Sequence, residues 1–434
     1  MLKKTFFTFL LLSAAGFYVN AQVTLEDIKN DPRLSATNLC VYPESKIVPQ
    51  TPAPEGFTPC YLYMWCRHGS RHQTDDYQYT APLAVLENAF AASGLTPLGE
   101  SALERMRYLT SESRGRVGHF TKVGEKQLRG IAERMYFNYP EIFRGVGVLD
   151  CRSTVVSRVI FTMGAFLERI KELNPALELE LDCDTHETYE WGSNTPDRAR
   201  IKDPESGLQA ALEKFVADSI KCDAFCERIF TKEYLSAADT LDRRGFMQKM
   251  FGMASIVQDI DVPFEEYSLY DLFTPEELYA YCRKGNYYYY LWYGASPETR
   301  PLCVGMFHDP ARLLVERADA ALSGGAAAAP AACAPAATLR FCHDGNVGPW
   351  AAALRLKNMS GETTDFDEAV SFYNAGDSVP MATNIQFVFY RDDAGEVLVK
   401  ILMCERETSI PIDFAPQGAP YYRWEDLRAY LLTF

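Results

Sequence analysis

The chain has 434 residues, of which 47% are hydrophobic and 23% are charged. This ordinary globular composition excludes a mainly disordered chain, and the length suffices for one large domain with a smaller one inserted, or for two domains. The formal net charge of −15 argues against nucleic acid as a partner, because a polyanion would be repelled.

The N-terminus has the pattern of an export signal. Lys3 and Lys4 precede an apolar run over residues 6–18, and a small-residue cleavage site ends at Ala21. The run is too short for an ordinary membrane span, and no apolar run of 18 or more residues follows it. We therefore predict a signal peptide over residues 1–21 and a mature protein in the periplasm or outside the cell, without a membrane partner.

Short apolar runs typical of buried strands alternate with helical patterns along most of the chain. The predicted strands cover residues 61–66, 146–151, 177–181, 338–342 and 385–390, and clear helices cover 124–137 and 154–173. Strands that alternate with helices predict an α/β fold, in which a mainly parallel sheet is covered by helices on both faces.

A wholly helical region interrupts this alternation. Its pattern runs from about residue 204 to residue 322, and it is clearest over residues 239–256 and 274–293. An Ala/Pro/Gly-rich stretch over residues 323–337 then returns the chain to the sheet as a loop. We predict a catalytic core of residues 22–203 and 323–434, with an α-helical cap inserted at residues 204–322.

The chain has twelve cysteines, a number that in an exported protein usually indicates disulfides. Cys66, Cys151 and Cys342, however, each end an apolar run and are predicted to be small buried core residues. Cys222 and Cys226 lie four apart in a helical pattern and could be paired or free. The sequence does not assign their connectivity.

Polar clusters follow three of the predicted strands, and the carboxyl ends of parallel strands are where ligands bind in such sheets. Arginine suits phosphate, because its planar guanidinium donates two parallel hydrogen bonds to two oxygens. Neighbouring arginines also disfavour a protonated histidine and leave an imidazole nitrogen free to attack, while a carboxyl group can protonate a leaving alkoxide. The clusters contain Arg67, His68 and Arg71 after the first strand, Arg152 after the second, and His343 with Asp344 after the fourth.

These clusters resemble motifs of the histidine acid phosphatases, the two-domain branch of the histidine phosphatase superfamily. Residues 67–71 (RHGSR) resemble the family signature RHGxRxP, and His343-Asp344 resembles its HD motif. Further likeness lies in residues 120–125, in the arginine block from Arg152 to Arg158 and in residues 379–390. The segments 161–175 and 286–294 look most like the inositol polyphosphate phosphatase and phytase branch.

The resemblance implies a phosphoglycerate mutase-like core with a helical cap, a small phosphomonoester as substrate, and no cofactor or metal. It implies that His68 is the nucleophile that forms a phosphohistidine and that Asp344 is the general acid. Phosphate oxygens would be bound by Arg67, Arg71, Arg152 and His343. One departure is Gln73, which stands where the signature has proline and leaves the loop shape and the specificity open.

The motif residues and the function each have competing interpretations. A metal pair of His68 with His72 is opposed by the arginines beside it. His308-Asp309 competes with His343-Asp344, but Asp309 precedes a proline and a helical run, so we interpret it as a helix N-cap. A phosphatase or sugar phosphatase of other specificity, a phosphomutase and a phosphate-binding protein without turnover remain the alternatives for function.

Overall fold

The computed structural model describes residues 22–183, 191–192, 197, 203, 207–323, 335–411 and 420–434. The predicted signal peptide over residues 1–21 and most of the Ala/Pro/Gly-rich loop, residues 324–334, lie outside the described residues. No helix in the described ranges is long and apolar enough to cross a membrane.

A central sheet organises the core, and its strands follow the spatial order β3-β2-β4-β1-β5-β6-β7, with β8 beside β6. β3, β2, β4 and β1 are parallel neighbours, whereas β5 pairs antiparallel with β1 and begins an antiparallel edge. The strands are β1 (Thr58–Arg67), β2 (Val148–Ser153), β3 (Glu178–Cys183), β4 (Ala337–Cys342), β5 (Asn384–Arg391), β6 (Val397–Met403), β7 (Arg406–Glu407) and β8 (Tyr421–Arg423).

Helices cover both faces of this sheet. On one face Phe166 packs against Phe341 of β4, and on the other Trp65 of β1 packs against Phe307 and Trp350. The faces are opposite, because Trp65 lies across from Arg340 in the β1–β4 register and successive side chains of a strand alternate. The predicted α/β class is therefore confirmed.

The helices in the N-terminal half are α1 (Leu25–Asn30), α2 (Tyr77–Ala91), α3 (Pro97–Ser113), α4 (Lys122–Asn138), α5 (Pro140–Phe143) and α6 (Ser157–Leu173). Between β3 and β4 lie α7 (Leu208–Ser219), α8 (Asp223–Ile229), α9 (Lys232–Ala237), α10 (Arg243–Ile256), α11 (Phe264–Tyr267), α12 (Pro275–Trp292), α13 (Arg300–Met306) and α14 (His308–Leu322). α15 (Asp344–Ala353), α16 (Phe366–Phe372), α17 (Ala375–Ser378) and α18 (Trp424–Leu431) follow, and 3-10 turns occur at Pro32–Leu39, Glu44–Lys46, Val257–Asp259, Tyr270–Leu272 and Lys357–Met359.

The helical region between β3 and β4 shares a hydrophobic cluster with helices that precede β2. Leu86 of α2 and Met106 of α3 are buried together with Phe225, Met250 and Leu278 of the insertion. The predicted boundary at residue 204 therefore divides a cluster that the structure keeps together. Helical periodicity alone could not show this, because an amphipathic helix does not reveal which partner it packs against.

The cysteines agree with the core interpretation where the structure describes them. Cys66, Cys151 and Cys342 are buried, and Cys222 and Cys226 are both free. Burial raises the pKa of the Cys226 thiol to about 12, so this thiol stays protonated and unreactive at neutral pH.

A close contact between two backbones fixes the loop that follows β1. A Cβ added at Gly124, in the first turn of α4, would lie 2.5 Å from Ser70 O and 2.9 Å from Ser70 N. A Cβ at Gly69 would in turn lie 2.9 Å from Gly124 Cα. Only glycine allows the two segments to approach so closely.

We expect Gly124→Ala to lower the free energy of unfolding by about 1–3 kcal/mol, since backbone must move to admit the methyl group. Gly164→Ala is the matched control: Gly164 is an exposed residue of α6 whose added Cβ meets nothing within 4 Å. That change should stabilise the protein by about 0.5–1 kcal/mol. Urea unfolding of both variants measures the difference, and a shift of the same sign in both would contradict this account.

Candidate active site

The carboxyl ends of β1 and β4 meet in the middle of the sheet. Arg67 pairs with Cys342 in the register of these strands, so His68 and His343 directly follow the last paired residues. Their rings lie 5.6 Å apart, and the His68 amide donates a hydrogen bond of 2.9 Å to Cys342 O. The structure thus brings the two predicted motifs together at one point.

His68 is buried, and its tautomer follows from one contact. Its Nδ1 lies 2.9 Å from Gly69 O. Because a carbonyl oxygen only accepts, Nδ1 carries the proton and the neutral ring keeps a lone pair on Nε2. Burial, followed by the charges of Arg67 and Arg71, holds the pKa of His68 well below its ordinary value. The imidazole is therefore neutral and can act as a nucleophile through Nε2.

Arg67 is fully buried and is held by two segments distant in sequence. Its Nη1 donates hydrogen bonds of 2.6 Å to Asn38 O and to Val379 O. Its Nη2 lies 3.3 Å from Asp344 Oδ2, and neither Nη2 nor Nε has a hydrogen-bond partner among the described residues. This guanidinium is fixed in place with donor capacity left over.

Arg71 and Arg158 add two further guanidiniums. Arg71 Nη1 donates to His72 O at 2.9 Å, and Arg158 Nη2 lies 3.4 Å from His343 Nδ1. The Nε atoms of both are buried without a partner in the described part of the chain. Burial lowers the pKa of Arg158 to about 10, with Arg71 as the next cause. Such unpaired buried donors are costly and indicate an anionic ligand.

Arg152, which the sequence predicts to bind phosphate, lies beside an acidic residue of its own strand, and its role stays a prediction. Its Nε lies 3.6 Å from Asp150 Oδ1, and Asp150 also accepts a 2.9 Å hydrogen bond from Arg340. Residues two apart on a strand face the same side, so β2 places Arg152 beside Asp150 and across from Arg340. Arg158, in the first turn of α6, is the arginine of this block that contacts His343. The sequence places Arg158 in this arginine block but predicts no role for it.

His343 links β2 to the motif after β4. Its Nδ1 accepts from Arg158, since a guanidinium only donates, and its Nε2 lies 3.1 Å from Thr154 Oγ1. Burial, followed by the charge of Arg158, lowers the pKa of His343 to about 4. The ring is therefore neutral above pH 5 and offers Nε2–H as a donor.

Asp344 opens α15 and is held by two hydrogen-bond donors and by the charge of Arg67. Its Oδ2 accepts from Asn38 Nδ2 at 2.8 Å and lies near Arg67, while its Oδ1 accepts from Gly345 N at 2.9 Å. Burial favours the neutral carboxyl, but Arg67, His68 and Asn38 together hold the pKa of Asp344 well below its usual range. Before a ligand binds, Asp344 is a carboxylate.

Two segments that hold Arg67 contain a non-glycine residue with positive φ. Thr37, which precedes Asn38, has φ of 53°, and Ala382, whose amide donates to His68 O, has φ of 56°. Each such conformation costs of the order of 1 kcal/mol and persists only where the surroundings enforce it. Asn38 belongs to no local sequence motif, so its contact with Asp344 could not be predicted from the sequence.

The tyrosine run over residues 287–290 has two roles. Tyr287 and Tyr290 are buried and pack against Phe366 and Tyr373. Tyr289 differs: burial, followed by the charge of Asp344, raises its pKa, and the same causes raise that of Tyr293. These two residues, one helical turn apart, lie on the side of α12 that faces the site. Their spacing was the signal that could have found them.

The residues after Arg71 connect the site to the insertion. Tyr79 Oη lies 3.4 Å from His72 Nδ1, so His72 is a packing residue. Gln73 stands where the family signature has proline. Its Nε2 donates a hydrogen bond of 2.8 Å to Gly252 O of α10.

The competing pair His308-Asp309 is exposed. His308 Nδ1 lies 3.2 Å from Asp309 Oδ1, and α14 begins at His308 with Phe307 as its N-cap. The interpretation of Asp309 as the N-cap was therefore wrong by two residues. Within the ranges that the structure describes, no three His, Cys, Asp or Glu side chains are grouped so that they could hold a metal ion.

A sheet whose strand ends hold a neutral imidazole among buried guanidiniums is an arrangement for binding and attacking an anion. The family model described as "Histidine phosphatase superfamily (branch 2)" matches residues 61–404 of the chain. The chain belongs to this family, as the motifs implied, and is a phosphomonoester hydrolase. No curated protein matches the chain significantly.

Solved structures of similar fold include two phosphatases. The multiple inositol polyphosphate phosphatase of Bifidobacterium longum, in complex with inositol hexasulfate, is 15% identical with a TM-score of 0.67, over 92% of this chain and 97% of that one. The phytase of D. castellii is 14% identical with a TM-score of 0.62, over 92% of this chain and 85% of that one. The predicted α/β fold of the histidine acid phosphatases is therefore confirmed.

The positions of the two arginines generate a test. Arg158→Ala should weaken binding of inorganic phosphate by about tenfold to a hundredfold, because a charge-assisted hydrogen bond is lost from a buried site. Arg152→Ala removes the same charge outside the cluster and should change the affinity less than about threefold. Titration calorimetry with phosphate compares them, and a larger loss for Arg152→Ala would restore the role that the sequence predicted.

Proposed function

We propose that this protein is an exported histidine acid phosphatase that hydrolyses phosphomonoesters, inositol polyphosphates among them, through a phosphate on His68. The observation that carries the proposal is the neutral, Nδ1-protonated His68 surrounded by the unpaired donors of Arg67, Arg71 and Arg158. A site that only bound phosphate would need the donors but not a free imidazole lone pair.

In the first half of the reaction the three guanidiniums and His343 Nε2–H bind the phosphoryl oxygens. His68 Nε2 attacks phosphorus, the N–P bond forms and the bond from phosphorus to the ester oxygen breaks. The departing oxygen takes a proton from Asp344. Buried donors that need no rearrangement supply the stabilisation of the transferring group.

Asp344 must carry a proton at that moment, although it is a carboxylate in the free protein. The charge of Arg67 is the main attraction that keeps it ionised. A phosphate bound to the arginines neutralises this charge and brings its own negative charge close to Asp344. Both effects raise the pKa of Asp344, so substrate binding itself draws a proton to the acid.

In the second half water attacks phosphorus on the same side from which the alcohol left. Asp344, now a carboxylate, accepts the proton of the water. The N–P bond breaks, inorganic phosphate leaves and His68 is neutral again. Asp344 thus acts first as acid and then as base, and the proton count is restored in each cycle.

The substrate class is supported by the fold and by the wall of the pocket. The two neighbours of similar fold are described as an inositol polyphosphate phosphatase and a phytase. Tyr289 of α12 and Tyr293, its C-cap, are close enough to Asp344 for its charge to raise their pKa values. They suit a leaving group rich in oxygen. Export follows from the predicted signal peptide over residues 1–21.

His68→Ala should abolish turnover of p-nitrophenyl phosphate while inorganic phosphate binds with an affinity within about tenfold of wild type. The variant removes the nucleophile but keeps the guanidiniums that bind the anion. His308→Ala, which changes the exposed histidine of the competing pair, is the control and should keep full activity. Quench experiments with labelled substrate should trap phosphate on His68, and label on another residue would refute the assignment.

Asp344→Asn should slow hydrolysis of phytate about 10²–10⁴-fold and that of p-nitrophenyl phosphate much less. An alkoxide is a strong base and needs the proton, whereas nitrophenolate leaves without one. The control is Asp309→Asn, an exposed carboxylate outside the site. Equal losses on both esters would remove Asp344 as the acid, and no wild-type activity on phytate would restrict the enzyme to other phosphomonoesters.

A further inference from the structure

One carboxyl group at the catalytic loop is left unused by this mechanism. Asp259 belongs to the 3-10 turn Val257–Asp259 at the end of α10, and none of its surface is exposed. Its Oδ1 accepts a hydrogen bond of 2.5 Å from Ser70 Oγ. Ser70 stands between Gly69 and Arg71, so the insertion reaches the signature loop itself.

Ser70 is held from two sides. Gln127 of α4 accepts from Ser70 N at 2.9 Å and donates to Ser70 Oγ at 2.8 Å. Since Oγ accepts from Gln127, its only proton goes to Asp259. Thr121, the N-cap of α4, contacts both the signature loop and the 3-10 turn of Asp259. Its Oγ1 lies 2.7 Å from Asp259 O and 3.0 Å from Ser70 O.

The second carboxyl oxygen of Asp259, Oδ2, indicates the protonation state of this residue. Oδ2 is buried and has no hydrogen-bond partner among the described residues. A carboxylate would spread its charge onto this bare oxygen in a site without water access, which is costly. A neutral carboxylic acid keeps the bond from Ser70 on Oδ1 and places its proton on Oδ2. The surroundings therefore fit the acid better than the carboxylate.

We propose that Asp259 is a positioning residue for the catalytic loop, which as a neutral acid holds Ser70 in place and leaves the Arg71 guanidinium available to phosphate. When Asp259 loses its proton, it becomes a second anion beside Arg71 and Arg67 and competes with the substrate for them. The strength of phosphate binding thus depends on the protonation of a residue that never touches the substrate. The proposal rests on the proposed function only in assigning Arg71 to phosphate.

The elements packed against Asp259 place several charged and titratable groups around it. They are Arg67 and Arg71 from the end of β1 and its loop, Tyr79 from α2, Cys40 after the 3-10 turn Pro32–Leu39, and Tyr270. Burial raises the pKa of Asp259 to about 7, against the opposing hydrogen bond from Ser70 and the charges of Arg71 and Arg67. The tyrosines and Cys40 stay neutral there, since the pKa of Tyr79 is raised to about 12 and that of Cys40 is raised as well.

The test compares phosphate binding by wild type and Asp259→Asn between pH 5 and pH 8. Asparagine accepts the Ser70 bond but cannot ionise, so the variant should bind phosphate like wild type at pH 5. At pH 8 it should bind more tightly by up to about tenfold, because at one unit above its pKa of about 7 the wild-type Asp259 must first take up a proton. Using the ratio of the two proteins cancels the titration of phosphate itself. Asp261→Asn, an exposed carboxylate two residues on, is the control and should keep a constant ratio to wild type.

Thermal unfolding gives a second measurement that needs no turnover. The folded pKa of Asp259 lies above its unfolded value of 3.8, so its contribution to stability is complete below pH 4 and is lost as pH rises to about 7. The Tm advantage of Asp259→Asn should therefore grow between pH 4 and pH 7 and then stay constant. Asp259→Ser, also neutral, serves if the asparagine variant does not fold.

A phosphate-affinity ratio that is constant across pH would overturn the proposal and leave Asp259 as a structural residue only. A Tm difference that does not change with pH would overturn it as well. Absence of hydrolysis by the wild type would instead refute the proposed function, while both measurements on Asp259 would still be decided by phosphate and heat alone.

Discussion

The structure depends on keeping three guanidiniums and a neutral imidazole together in a buried place. Bringing Arg67, Arg71 and Arg158 out of water is costly, and their mutual repulsion adds to the cost. The fold compensates only in part, with carbonyl acceptors for Arg67 and Arg71 and with the carboxylate of Asp344. Donor atoms of all three guanidiniums stay without a hydrogen-bond partner among the described residues, and under the proposed function an incoming phosphate binds them. Stability given up by the free protein thus becomes affinity for the substrate.

Positions that hold this cluster come from all parts of the chain. Asn38 precedes the sheet, His343 and Asp344 follow β4, and Ala382 leads into β5. The helical insertion contributes as well, through Asp259 on Ser70 and through Gly252 on Gln73. The loop after β1 is therefore clamped between the sheet and the insertion. This explains why its glycine at residue 69 packs against another glycine, Gly124, with no room for a side chain.

Much of this could be predicted from the sequence, because the signals were local. Apolar runs identified β1 to β5, although β1 extends from residue 58 to 67 and the strands β6 to β8 were missed. The residues His68, Arg67, Arg71, His343 and Asp344 follow strand ends directly, so parallel pairing was enough to bring them together. The role of Arg152 stays a prediction, since β2 is separated from β1 by β4 and the guanidinium of Arg152 lies beside Asp150. Asn38, Tyr289 and Asp259 lie on segments whose packing no periodicity reveals.

The position of β1 in the sheet has a consequence for how the protein acquires its structure. β1 pairs with β4 on one side and with β5 on the other, and these strands lie more than 270 residues further along the chain. Contacts so distant in sequence form slowly, because a long loop must close before they gain anything. His68 is synthesised early but meets Asp344 only when nearly the whole chain is available. An emerging or truncated chain would therefore contain the residues of the signature loop but no catalytic pocket. It would also expose the apolar edges of β1 to other chains until folding is complete.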